Sequence, residues 1–309
     1  MSTSYTWGAR SWLKATPEAE WGVFDPSASP IWLRLEGDRP LTLQPRAFVR
    51  EIAAADARGE TIDHVLARIE VTGTLTTPLY PDQAGALLSW GLSPLAVGEP
   101  ATYRLPSMTL DVFDGHRARR FLGTRVQTFS LKTSAADPVV LTRLTLQAGR
   151  VDPVDLVVSE PSASVWPAGP PYGLHDLQGG LLLGSPLSRK GFNLVELVVE
   201  NRIDPVFDEE IHAGDLLYCG RTVSLTLRQR DRGNEPAFDQ TAHETQTRVA
   251  PAKLIFQRGG RSVEINLRSR CRITEIRVET PLHGSKTRVL QIRSDFDPVA
   301  GDSLGWIVI

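Results

Sequence analysis

The sequence predicts a mainly β protein: tandem copies of one β-sandwich or half-barrel module, each with a short flanking α-helix. Three observations predict it. Apolar and polar residues alternate with a period of two over much of the chain. The dipeptides Asp114-Gly115 and Gly259-Gly260, which tolerate the positive φ angles of tight hairpins, interrupt that alternation at hairpin positions. The order of strands that ends the first half of the chain then recurs at the end of the second.

The strands read directly. In RTVSLTLRQR, Val223, Leu225 and Leu227 share one face and Thr222, Ser224, Thr226 and Arg228 the other. In RSVEINLRSR, Val263, Ile265 and Leu267 alternate with Glu264, Asn266 and Arg268. In VLTRLTLQ, Val140, Leu144 and Leu146 fall on one side around Thr142. Helical pattern is sparse. PDQAGALLSWGL predicts a helix with Asp82 as its cap, Leu87, Leu88 and Trp90 as its apolar stripe and Gly91 as its stop. AFVREIAAADARG, residues 47 to 59, is a second helical candidate because it is rich in Ala and Arg, with an ordered loop as the alternative.

The repeat reads strand, turn, strand, short link, strand, loop, strand in both SMTLDVFDGHRARRFLGTRVQTFSLKTSAADPVVLTRLTLQ and AKLIFQRGGRSVEINLRSRCRITEIRVETPLHGSKTRVLQIRS. The offset is nearly constant, 144 residues from Gly115 to Gly259 and 146 from Leu146 to Ile292. Upstream, a strand leading to a capped helix at HVLARIEVTGTLTTPLYPDQAGALL matches GRTVSLTLRQRDRGNEPAFDQTAHE, with Asp239 as the second cap. EPSASVWPAGPPYGLHDLQGG, residues 160 to 180, is crowded with Pro, Gly and Ser and marks the boundary between two units, 1–165 with an N-terminal arm and 166–309.

The 309 residues are 41% hydrophobic and 23% charged, with a net charge of −2. This is the composition of an ordinary globular chain, and no basic excess supports tight binding to phosphate backbones. No signal-type or membrane-spanning apolar run occurs, so a membrane is not expected as a partner. Cys219 and Cys271 stand apart, outside any metal-binding spacing, and are expected to be buried thiols.

Chemical motifs are weak. Gly301-Asp302-Ser303-Leu304 spells a serine-esterase signature, but it ends an all-β pattern, no Asp-x-x-His follows, and the expected role is a turn into the last strand. The six His residues are scattered, and Asp208, Glu209, Glu210 and His212 read as a solvated polar loop; no metal site and no cofactor are expected. Gly179-Gly180 and Gly259-Gly260 lack the context of a phosphate cradle. Trp7, Trp12, Trp21 and Trp32 crowd the first 32 residues, and are expected to anchor an arm on its own subunit or on a neighbour.

Several segments together resemble the tail tube (major tail) proteins of long-tailed bacteriophages with non-contractile tails. Glu20-Trp21-Gly22-Val23 resembles their early Glu-aromatic-Gly segment, and VTGTLTTPLYPDQAGALLSWGL their strand running into a first helix. RFLGTRVQTFSLKTSAADPVVLTRLTLQAGR resembles their paired strands around a Gly-x-Arg/Lys-Val step, and NLVELVVENRIDPVF their strand ending in Asn, here Asn201. The shortest members carry one module; this chain carries the pattern of two. The resemblance implies a structural virion protein with no active site, made in the host cell cytoplasm. Its sheets would join those of neighbouring subunits into a closed β-barrel. Six modules from three chains would form a homotrimeric ring with pseudo-sixfold symmetry. Stacked rings would assemble along a tape-measure protein, meet tail-end proteins at the ends and pass DNA transiently. A distal tail or tail terminator protein is the alternative, and a carbohydrate-binding β-sandwich using the Trp cluster a more distant one.

On that reading the stacking contacts are expected from the N-terminal arm and from residues 40 to 60 and 204 to 214, where Pro40, Pro45 and Pro205 argue against continuous regular structure. The interface candidates are Trp7, Trp12 and Trp21, with Arg46 and Arg50 meeting Asp208, Glu209 and Glu210 of a neighbour. Negative charge is expected on the lumen side, with Glu196 and Glu200 as candidates.

Overall fold

Antiparallel ladders build every sheet among the described residues. The computed structural model describes residues 12–35, 41–53, 61–92, 105–113, 118–153, 162–182, 185–186, 192–207, 210–230, 251–268, 270–279, 286–296, 298 and 303–309. In chain order the elements of the first half are β1 (Trp12–Pro17), β2 (Ile31–Leu33), β3 (Gln44–Ala53), β4 (Thr61–Pro78), α1 (Ala84–Leu92), β5 (Met108–Phe113), β6 (Ala118–Ser134), β7 (Leu141–Ala148) and β8 (Arg150–Pro153). After two single-turn 3-10 helices follow β9 (Leu177–Leu182), β10 (Ser185–Pro186), β11 (Phe192–Val206), β12 (Asp215–Arg230), β13 (Ala252–Arg258), β14 (Arg261–Leu267), β15 (Cys271–Glu279), β16 (Thr287–Ser294) and β17 (Leu304–Val308).

A central sheet runs in the order β3-β4-β7-β6-β11-β12-β16-β15. It divides into two runs, β3-β4-β7-β6 and β11-β12-β16-β15, joined by the β6–β11 ladder. Smaller sheets pack with each run: β2-β1-β5-β6-β8 in the first half and β10-β9-β13-β14-β17 in the second. Strand β6 serves both layers. Its early residues pair with β5 and β8, and its later ones with β7 and β11. Gly123, at φ +63°, lies where the strand passes from one sheet to the other. Among the described residues none of the sheets closes on itself.

Alternation fixes the two faces of the central sheet. Thr77, Thr142, Leu131, Leu197, Leu225 and Ile292 form one cross-strand row, and all are fully buried. Thr76, Arg143, Ser130, Val198, Ser224 and Arg293 form the neighbouring row, on the opposite and more exposed face. One hydrophobic core carries buried residues from both halves of the chain, from Leu13 to Leu304. Gly259 and Gly260, at φ +57° and +83°, make the tight turn between β13 and β14. The Asp114-Gly115 turn and the Asp239 cap lie outside the described residues.

Several expectations need correction. Residues 47 to 53 of the second helical candidate are the end of β3, because the partner β4 offers a ladder that overrides the helix propensity of Ala and Arg. Pro45 and Pro205 sit inside β3 and β11 rather than breaking them. The Thr42 N–H donates to the Thr74 carbonyl (2.9 Å), so in this alternation the Pro45 nitrogen faces away from β4, where no donor is missed. Pro205 lies beyond Glu200, where pairing with β6 has ended. Strand β11 continues past Asn201 to Val206, with a bulge between Arg202 and Ile203.

Helix α1 is present, but two of its residues act otherwise than expected. Asp82 accepts from the Ala168 N–H (2.9 Å) and so holds the inter-half segment instead of capping the helix. Gly91 lies inside the helix, where a Cβ would fall 2.2 Å from a Phe129 ring carbon; its smallness lets the helix seat on β6. The thiol of Cys219 is exposed, not buried, because it is the bulged residue of β12; Cys271 is buried as expected. Ser303 is buried and its carbonyl accepts from the Ser294 hydroxyl (2.6 Å) as the chain enters β17, in keeping with a structural turn.

The two glycines of α1 give a paired test. Gly91→Ala is expected to cost about 1–3 kcal/mol by overpacking Phe129. Gly85→Ala, whose added Cβ meets only Val308 Cγ2 at 4.0 Å, is expected to be neutral or to stabilise by up to about 1 kcal/mol. Urea denaturation of both variants checks the opposite signs.

Candidate assembly surface

The surface of interest is built from sheet edges, so its geometry begins with backbone pairing. At the seam, Thr128–Ser134 of β6 pairs with Leu194–Glu200 of β11. On the core side of the seam Phe129 meets Val199 and Leu131 meets Leu197, all fully buried. On the other side Lys132 Nζ lies 3.4 Å from Glu196 Oε1. At the outer ends of the same sheet β3 pairs only with β4, and β15 only with β16, among the described residues. Val278, on the core-facing side of β15, is 52% exposed.

A side-chain lock sits beside the seam. Asn201 Nδ2 donates to the carbonyls of Val126 (2.9 Å) and Gly91 (3.3 Å), and the Arg221 Nε–H donates to Asn201 Oδ1 (2.9 Å). One buried amide thus ties β11 and β12 of the second half to α1 and β6 of the first. A buried amide pays its desolvation only when its hydrogen bonds are made, which accounts for an Asn at this position. Arg125, 2% exposed, adds a second tie: it pairs with Asp215 Oδ1 (3.0 Å) and donates to the Leu216 carbonyl.

The hairpins reach beyond the sheet. Val71–Pro78 of β4 pairs with β7, while among the described residues the preceding Thr61–Glu70 has its strand ladder with β3 and carries exposed Val65 and Leu66, with Val49 opposite. The shorter β11–β12 hairpin lies alongside: the Ile69 N–H donates to the Ile211 carbonyl (2.7 Å), and the Arg68 guanidinium stands 4.7 Å from the Phe48 ring centroid and 5.5 Å from that of Phe207. Of the two segments expected to stack, 40 to 60 and 204 to 214, the described Phe48 and Phe207 thus lie on one guanidinium of their own subunit; residues 40, 54–60 and 208–209 lie outside the described residues.

The named candidates fall in different places. Trp12 is buried in β1 against Trp32 and Phe113. Trp21 lies on Gly123 and Gly149, where a Cβ would fall 2.6 Å from the indole, and its Nε1–H donates to the Gly123 carbonyl (3.0 Å). Glu18 fixes this segment: its carboxylate accepts from Thr109 Oγ1 (2.7 Å), Gly123 N (2.8 Å) and Gly22 N (2.9 Å). Glu18, two residues before the Glu-Trp-Gly segment, is thus the carboxylate that holds it in place. Arg46 pairs across β3–β4 with Glu70, and its guanidinium lies 5.1 Å from the Phe48 ring. Arg50 pairs with Val65. Glu210 and His212 line a cleft of about 630 Å³ beside Trp21, Leu122 and Arg150. Trp7, Asp208 and Glu209 lie outside the described residues, and no metal-binding cluster occurs among the described ones.

Glu196 and Glu200 do point away from the core, but the face is mixed rather than acidic, since Lys132, Arg143 and Arg293 share it. Hydroxyls fill much of the rest: Thr72, Thr74 and Thr76 on β4, Thr145 on β7, Ser130 on β6, and Thr222, Ser224 and Thr226 on β12. Both thiols are restrained. A hydrogen bond to Asp204, 3.2 Å away, holds the Cys219 thiol above the usual range, and burial does the same for Cys271.

An antiparallel sheet whose terminal strands have no second partner among the described residues, with projecting hairpins and a hydroxyl-rich face, is organised for self-association. Comparison with known families decides which kind: the family described as phage tail tube protein matches residues 8–230. The chain belongs to the phage tail tube protein family. No curated protein matches it. Members of the tail tube family are structural, and the tail tube subunit described above is a virion component. Among its described residues no helix is long and apolar enough to cross a membrane.

Two outcomes are expected here. Asn201→Leu removes the lock beside the seam and should cost about 1–3 kcal/mol in chemical denaturation. Asp204→Asn removes the carboxylate that favours the protonated thiol; the Cys219 pKa falls, more thiolate is present at pH 8, and iodoacetamide labelling of Cys219 should speed up about two- to fivefold while Cys271 stays protected.

Proposed function

We propose that this tail tube subunit is a tandem duplication, with modules at 1–165 and 166–309, and that three chains form one ring of the tube of a non-contractile phage tail. The observation that carries the reading is the strand order of the central sheet. In it β11-β12-β16-β15 follows the connectivity of β3-β4-β7-β6, and the two runs are joined by β6 and β11. Strands β3 and β15, which end the sheet among the described residues, are the counterparts of the joined β11 and β6. Three chains, head to tail, then give six modules, leave no edge in the central sheet and close it as a barrel.

In that barrel the face bearing Thr74, Thr145, Ser130 and Ser224 lines the bore, and the core-facing side packs against the smaller sheets and α1. Hydroxyls and locally compensated charges give passing DNA no continuous cationic track to bind. The projecting hairpins, the N-terminal arm with Trp7, and the charges Arg46, Arg50, Asp208, Glu209 and Glu210 contact the adjoining subunits and rings; Trp12 and Trp21 hold the base of that arm to its own subunit. Assembly along a tape-measure protein, tail-end proteins at the two ends, and passage of the genome complete the role.

Negative-stain electron microscopy of the purified protein across a concentration series tests the reading. Rings or tubes whose average has threefold symmetry and six similar lobes are expected. Rings with six copies of the chain, or a compact monomer that stays monomeric with tape-measure and tail-tip fractions added, would overturn it. Reversing charge at Glu209 and Glu210 should shorten or destabilise tubes while leaving single rings intact.

A further inference from the structure

We propose that β3 of one subunit pairs with β15 of the next in one defined register: Arg46 opposite Glu275, Pro45 opposite Ile276, Gln44 opposite Arg277, Leu43 opposite Val278 and Thr42 opposite Glu279. The proposal rests on the ring reading and adds to it the residues that meet.

The register follows from bulges, which mark equivalent positions independently of residue type. On β4, Ala67 is skipped where pairing shifts between Phe48 and Val49; on β12, Cys219 is skipped where it shifts between Arg202 and Ile203. Phe48 therefore corresponds to Arg202, and stepping back along each strand matches Arg46 with Glu200, Pro45 with Val199, Gln44 with Val198, Leu43 with Leu197 and Thr42 with Glu196. On β6, Gln127 is skipped between Val126 and Thr128; on β15, Thr274 is skipped between Ile273 and Glu275. Thr128 thus corresponds to Glu275, Phe129 to Ile276, Ser130 to Arg277, Leu131 to Val278 and Lys132 to Glu279. Transferring the observed pairs Glu200–Thr128, Val199–Phe129, Val198–Ser130, Leu197–Leu131 and Glu196–Lys132 onto these counterparts yields the proposed ladder.

The side chains agree with it on both faces. On the core side every transferred partner is apolar. Leu131 is fully buried at the seam, while its counterpart Val278 is 52% exposed, the state expected of a core residue waiting for Leu43 of the next subunit. On the other side Arg46 meets Glu275, a pairing of unlike charge. A slip of two residues, the smallest that keeps the faces, would set Arg46 against Arg277 or drive it into the bulge. Pro45 tunes the contact. Its nitrogen faces the edge that no described strand covers, so the ladder lacks one donor there, and Gln44 and Arg46 occupy the close, non-hydrogen-bonded positions.

Disulfide trapping tests the register. In a Cys219→Ser background, Arg46→Cys with Glu275→Cys should cross-link rings under mild oxidation into covalent trimers. The rate should be about tenfold above those of Arg46→Cys with Arg277→Cys and of Gln44→Cys with Glu275→Cys, since the favoured pair brings Cα atoms within disulfide range. Preferential trapping of either control pair in intact rings overturns the register and leaves the ring reading standing. Absence of rings from the unaltered protein, with tape-measure and tail-tip fractions added, overturns both. Charge exchange is the second measurement: Arg46→Glu and Glu275→Arg alone should each raise the concentration needed for ring formation about tenfold, and together restore it to within about threefold. Single variants that assemble like the unaltered protein would also overturn the register.

Discussion

The ladder between β6 and β11 is the interaction on which the molecule depends. It converts two half-sheets into one, and it buries Phe129, Leu131, Leu197 and Val199 in a shared core. Without it, both halves would present an unpaired strand with an apolar underside, which is the configuration that drives uncontrolled association. Asn201 and Arg125 stand beside the ladder and bind it to α1 and to the start of β12. Buried polar ties of this kind are costly when incomplete, so they favour a single arrangement of the two halves over sliding alternatives.

The smaller sheets serve the larger one. Strand β6 runs through both layers, so the first-half sandwich is anchored covalently to the strand that makes the seam. The Glu18–Trp21 segment clamps the crossover at Gly123 from outside. In the second half the same passage is made by two strands, β14 and β15, separated by a short link. Buried Asp111, held between Lys14 Nζ (3.0 Å) and Arg120 Nε (2.7 Å), ties β1, β5 and β6 across the first small sheet.

Strand identity was legible wherever one face is buried and the other wet, because period-two alternation is imposed by the pleat itself. Val223, Leu225 and Leu227, and Val263, Ile265 and Leu267, lie buried as read. The short link expected between two strands of the first half was misread: Ala118–Ser134 is one continuous strand, because the alternation looks the same whether a strand ends or passes on to a second sheet. Less legible were features that depend on a partner strand or a distant residue. Gln44–Ala53 carries helix-forming residues and becomes a strand because β4 is there to receive it. Gly91 resembles a helix stop and is in fact a packing position set by Phe129. The exposure of Cys219 follows from a bulge that no local pattern announces. The edges themselves are invisible in sequence, since an edge strand and an inner strand alternate alike.

The two projecting hairpins are unlike in length: β3–β4 extends through Ala53 and Thr61, whereas β11–β12 turns back between Val206 and Asp215. Around a ring of three chains they would alternate, long and short. Such a ring looks nearly sixfold from its walls yet is keyed only threefold at its rims. A ring laid on top would find equivalent seats at every third of a turn, and a mismatched fit halfway between. Duplication would then have bought something a six-copy ring cannot have: an indexing mark that sets the angle at which each new layer lands.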